Sequence, residues 1–153
     1  MRGHGIVIHG APLGILLVAL AACTDVRDFE GTWTGTRVGE AAPLRVGLAD
    51  RLDAELVIEQ ASLSTFRARL STGDGLFAQA VIEPIPGAEA DVLAHATFDG
   101  SPARVFMAFA RATDGGGDAL AIVALYDDPR VEVRVLRGGT TPLYGIFLLA
   151  RSR

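Results

Sequence analysis

The chain contains no lysine; all 14 of its cationic side chains are arginine. That absence removes a phosphate-gripping P-loop lysine, a Schiff-base lysine and a lysine general base. There is a single cysteine, so no internal disulfide can form and no disulfide framework holds the fold. Histidine is almost as scarce, with three in 153 residues. Positive charge is not in surplus either. The formal net charge of −4 argues against an electrostatic nucleic-acid binder. What is abundant is apolar matter: half of the residues are hydrophobic and 21% are charged, a balance that buries a core and is not that of a disordered chain. The length sets one domain, or one domain plus an appendage.

The appendage is legible at the start. Residues 1–5 carry one cation, Arg2, and the chain from Ile6 to Leu20 is apolar apart from His9. Its cleanest run is LGILLVAL, Leu13 to Leu20. A basic start, a short apolar core and then small residues make the pattern of a secretory signal. A membrane span needs about 20 uninterrupted apolar residues, and His9 and Pro12 interrupt this one.

The small residues that follow are Leu20-Ala21-Ala22-Cys23, and they resemble the lipobox of bacterial lipoprotein precursors. The resemblance implies a diacylglycerol on the Cys23 sulfur, cleavage before Cys23, and acylation of the amino group so freed. The alternative is a buried, inert Cys acting as a small hydrophobe in an ordinary secretory signal or N-terminal helix. On the lipobox reading residues 1–22 are a removed signal peptide, 23–30 an anchor and linker, and 31–153 the folded domain. Removal of 22 residues from 153 leaves 131, with 13 Arg against 18 acids, a net charge of −5. Two or three acyl chains on Cys23 hold such a protein stably on a membrane, where one holds it only marginally. In the lipoprotein family an Asp directly after the Cys favours the inner membrane. Thr24 stands there instead, which implies the outer membrane, with the protein in the bacterial cell envelope facing the periplasm.

From there to the C-terminus the hydrophobic period is two. Leu44, Val46 and Leu48 share a face; Leu56 and Ile58 oppose Glu55 and Glu59; Phe66, Ala68 and Leu70 oppose Arg67 and Arg69; Val131, Val133 and Val135 oppose Glu132 and Arg134. Turn signals recur about every ten residues, at 71–75, 84–87, 99–102, 113–118, 127–129 and 137–142. The pattern predicts an all-β fold: an antiparallel up-and-down β-barrel or barrel-like sandwich of about eight to ten strands. Closure removes the exposed edges that a flat meander would leave. Residues 49–61 and 87–96 are rich enough in Ala, Leu and Glu to admit a short helix.

FEGTWTGT, Phe29 to Thr36, is similar to the opening strand of the calycin barrels, which include the lipocalins, avidins and fatty-acid-binding proteins. Their shared mark is Gly-x-Trp, matched by Gly31-Thr32-Trp33. The resemblance implies that Trp33 plugs one end of a barrel beneath an Arg of the last strand, Arg151 or Arg153. It also implies a small apolar ligand in the barrel or its mouth.

Catalytic and metal-binding patterns lead elsewhere. His95, the one histidine after Cys23, has no His or Cys partner in its stretch and reads as structural. GDGLFA at 73–78 matches G-x-G-x-x-A but lies between two strands, so it reads as a turn and not as a dinucleotide site. TDGGGDAL at 113–120 offers Asp114 and Asp118 but has Leu125 where a calcium loop needs Glu. Asp127 and Asp128 are adjacent and point to opposite sides. No Ser sits in G-x-S-x-G. The expectation is a non-enzyme without cofactor or metal.

Three segments are apolar on both faces: 105–110, 120–126 and 143–149. A half-solvated sheet would alternate. Something covers the second face, be it a helix, a loop, another subunit or lipid. Expected inward residues are Trp33, Leu48, Leu56, Phe66, Phe98, Met107, Phe109, Tyr126 and Ile146. Two functions follow from these features. One is a lipid-anchored, small-ligand-binding calycin-like module. The other is a structural lipoprotein that docks on an envelope protein, or on a second copy of itself, through an apolar face.

Overall fold

Alternate residues of an extended chain point to opposite faces, and a closed sheet turns that alternation into an inside and an outside. A computed structural model of the protein describes residues 24–38, 52–88 and 97–153. The motif Leu20 to Cys23, the expected strand at Leu44, Val46 and Leu48, residues 89–96 of the helical alternative, and His95 lie outside the described residues.

A one-turn 3₁₀ helix (Val26–Phe29) leads into β1 (Gly31–Arg37). Seven strands follow: β2 (Asp53–Ala61), β3 (Phe66–Thr72), β4 (Ala80–Ile82), β5 (Arg104–Arg111), β6 (Asp118–Tyr126), β7 (Arg130–Arg137) and β8 (Leu143–Arg151). They form one sheet in the order β4-β3-β2-β1-β8-β7-β6-β5, antiparallel at every pairing. Because β1 also pairs with β8, the meander curls into a nearly closed barrel. The remaining seam, between β4 and β5, is crossed by Ile85 N–H to Met107 O at 2.7 Å and by Thr113 N–H to Leu76 O at 2.9 Å.

Residues 53–61 are strand and not helix. Leu56 sits between Trp33 of β1 and Leu70 of β3 in the ladder, with Ile58 two places on facing Ala68. Period-two burial outweighs the helix propensity of the Ala, Leu and Glu around it. Residues 26–29, expected within a linker, fold into the barrel end, where Val26 and Phe29 are buried.

Closure of β1 on β8 depends on Gly35. A Cβ there would lie 1.9 Å from the Leu148 carbonyl oxygen, a backbone atom that cannot swing aside. Gly31, at φ +125°, opens β1 in a conformation that L side chains rarely adopt.

The interior differs from expectation on β5 to β8. Trp33, Leu56 and Phe66 point inward as expected. Phe98, Met107 and Tyr126 instead belong to a second apolar cluster on the outer face, and Phe109 is 55% exposed. Ile146 pairs with Arg134 and stands next to Phe147, so it points to the outer face while Phe147 points into the core. The inside of β5 and β6 is taken by Phe106, Ala108, Ala110, Ala119, Ala121, Val123 and Leu125. An eight-stranded barrel has room for few large side chains. Trp33, Phe66, Phe77, Phe106 and Phe147 already occupy it, so small residues line the facing wall.

Candidate functional site

The barrel end beginning at β1 is closed by stacked groups. Trp33 is 1% exposed, and its indole N–H donates to Phe29 O at 2.9 Å. The Phe29 ring stacks on it, with centroids 5.7 Å apart and planes 25° apart. Arg151, paired with Trp33 across the β1–β8 ladder, lays its guanidinium 4.9 Å from the indole centroid and donates to Asp28 O. The structure thus brings Gly31, Trp33 and Arg151 together at one end of the barrel. Arg153 is exposed at the C-terminus.

The opposite end is closed by residues 73–79. Phe77 is fully buried, and its N–H donates to the Thr72 hydroxyl, which donates in turn to Asp74. GDGLFA is therefore a folded turn between β3 and β4, with no helix behind it. Between these two ends, Leu56, Leu70, Ile82, Val123, Leu125, Val133 and Phe147 are fully buried, so no water-sized void opens onto them. A depression of about 540 Å³ lies instead at Thr34–Thr36, Asp53–Glu55 and Ser71–Gly73, open to solvent.

The calcium-like loop is occupied by an ion pair. Arg137, nearly buried at the end of β7, donates to both Asp114 carboxylate oxygens, at 2.9 and 2.5 Å, and to Thr141 O at 2.8 Å. The hydrogen bonds from that guanidinium, helped by the Gly116 N–H, hold the Asp114 carboxyl down at about 2. Asp118 pairs with Arg111. The arrangement ties the β5–β6 and β7–β8 turns together.

The outer face of β5–β7 holds a polar network that sequence reading missed. Glu132, which the alternation sets opposite three valines, is 2% exposed. It accepts from the Tyr126 hydroxyl at 3.0 Å and from Arg134 Nε. Arg134 in turn lies 4.4 Å from the Phe98 ring centroid, and Arg130 lies 4.0 Å from that of Tyr126. Burial, then the charge of Glu132, pushes the Tyr126 phenol up to about 12. Phe98, ahead of β5, packs on this face with Met107 and Ile122, and so covers part of it from within the chain. The only sequence signal was the pairing of Glu132 and Arg134 two positions apart on the same face, beside an apolar partner strand.

Further along that face an apolar row is partly open to solvent among the described residues, with Leu120 and Tyr144 half-buried. Phe109, Leu120, Leu136 and Tyr144 are consecutive cross-strand neighbours on β5, β6, β7 and β8. Phe109 is 55% and Leu136 47% exposed. No family model, curated protein or solved structure matches this chain.

Proposed function

We propose that the protein is a lipid-anchored, non-catalytic lipoprotein of the bacterial cell envelope. It is held at the outer membrane by acyl chains on Cys23, and its calycin-like barrel docks through an outer apolar row on a second copy or on an envelope protein. The observation that carries the docking reading is the row Phe109–Leu120–Leu136–Tyr144, with its two most exposed members more than two-fifths accessible. Monomeric proteins seldom leave large apolar neighbours in water without using them. The motif Leu20-Ala21-Ala22-Cys23 supports the anchor, and Gly31, Trp33 and Arg151 at one barrel end support the calycin likeness.

A filled interior weighs against a small apolar ligand carried inside the barrel. Saturable, one-to-one binding of an environment-sensitive apolar dye, unaffected by changes on the outer face, would restore that reading.

Two measurements test the proposal. The first is the lipid mass on wild type and Cys23→Ala after expression in a bacterium and fractionation. An unlipidated wild type that is processed like the variant removes the anchor. The second is sedimentation of the chain from Thr24 onward, alone and with envelope extract, beside Phe109→Ser/Leu136→Ser. A wild type that stays monomeric and binds nothing more than the double variant does removes the docking row.

A further inference from the structure

Resting on the anchor reading above, we propose that the barrel stands on the bilayer by its Trp33 end, with Leu63 entering the lipid interface. Thr24, the residue directly after Cys23, donates its hydroxyl to Asp127 in the β6–β7 turn at 2.7 Å. Val26, two residues further, is fully buried. One residue spans about 3.3–3.6 Å, so the acyl-bearing Cys is joined to the barrel end with no spacer to lift it from the membrane. Whatever that end presents is pressed against lipid.

What it presents includes the β2–β3 hairpin, residues 62–65. The hairpin leaves β2 beside Glu30, whose side chain accepts from Ala61 N–H at 2.9 Å, so it rises at the same end as Thr24. Its tip carries Leu63, 64% exposed. The turn is braced and not loose: Ser62 N–H donates to Thr65 O at 2.8 Å, and the Ser62 hydroxyl accepts from Thr65 N–H. A rigid turn holding one leucine out beside an acyl anchor suits an interface in which apolar side chains gain by leaving water. Two of the acids near the anchor are neutralised, Asp25 by Arg27 at 2.5 Å and Asp128 by Arg130 at 3.5 Å, and Arg151 stands at the same end beside Asp28 O.

The same orientation turns the other barrel end away from the membrane. The row Phe109–Leu120–Leu136–Tyr144 lies toward that distal end, so it is offered to proteins and not to lipid.

Because Cys23 is the only cysteine and its sulfur is acylated on this reading, an introduced cysteine is a unique labelling site. The full chain is purified with its lipid and its mass measured. It is then reconstituted in vesicles of phosphatidylethanolamine and phosphatidylglycerol, with a polarity-sensitive dye on Leu63→Cys or, at the distal end, on Thr140→Cys. The expected result is a several-fold rise and blue shift of the dye at 63 and none at 140. A spacer of about ten Gly and Ser residues inserted between Cys23 and Thr24 should bring the signal at 63 down towards that at 140. Equal signals from the two sites in lipidated protein overturn the orientation and leave the anchor standing. Absence of lipid on Cys23 overturns both.

Discussion

Gly35→Ala is the sharpest test of how the barrel closes. In an ordinary strand the change is favourable, because Gly costs about 0.5–1 kcal/mol relative to Ala through lost chain entropy. At position 35 the new methyl would sit 1.9 Å from the Leu148 carbonyl oxygen and 2.9 Å from its carbon. Real Cβ contacts do not fall below 3.0 Å, so β1 and β8 must separate by at least 1.1 Å, the difference between 3.0 and 1.9. A shift of that size stretches the ladder that pairs Thr34 with Ala150 and Thr36 with Leu148 on either side. Losing or weakening two such hydrogen bonds costs about 1–3 kcal/mol, and overpacking costs another 1–3 kcal/mol. Against a total stability of about 5–15 kcal/mol the net loss, roughly 1–5 kcal/mol, is large. Urea unfolding of the chain from Thr24 onward, followed by Trp33 fluorescence, measures it. Gly138→Ala is the control, since a Cβ there meets nothing within 4 Å and its φ is ordinary; it should be neutral or slightly stabilising. If Gly35→Ala proves as stable as wild type, β1 and β8 do not approach as described and the account of closure fails.

Trp33→Phe keeps an aromatic ring beside Phe29 but loses the donor to Phe29 O and part of the indole volume; it should cost about 1–3 kcal/mol in the same unfolding assay, read by circular dichroism. Tyr126, whose phenol is raised to about 12, supplies stability that is full below the unfolded value near 10 and drains away as pH rises from about 10 to about 12. That amounts to about 2–3 kcal/mol, and Tyr126→Phe should flatten the alkaline limb of stability against pH; an unchanged limb would mean that the phenol is not buried against Glu132 as described. Asp114, held down at about 2, works in the opposite direction. Its contribution is present above about 4 and lost as pH falls from about 4 to about 2, so Asp114→Asn should remove that part of the acid slope in denaturant titrations.

Sequence alone determined the local geometry of this protein. Alternating residues such as Leu56 and Ile58, or Val131, Val133 and Val135, identify strands because an extended chain has a side-chain period of two whatever surrounds it. Turn signals mark where strands end for the same local reason, and the all-β meander follows from both. Gly31 and Trp33 stand out in the sequence as a tripeptide, but the sequence offered both Arg151 and Arg153, and only the structure lays Arg151 over the Trp33 ring. Tertiary structure alone decided which face is the inside. Where both faces are apolar, as in 105–110, period two says which residues lie together but not which way they point. The narrow barrel settled that in favour of Ala108 and Ala110 over Met107 and Phe109, because aromatic rings from other strands already filled the space. Glu132 shows the same limit. Its burial depends on Phe98, Tyr126 and Arg134, brought to one spot by pairings and a connection that no local pattern encodes. Periodicity is a property of one strand, whereas inside and outside are properties of the closed sheet.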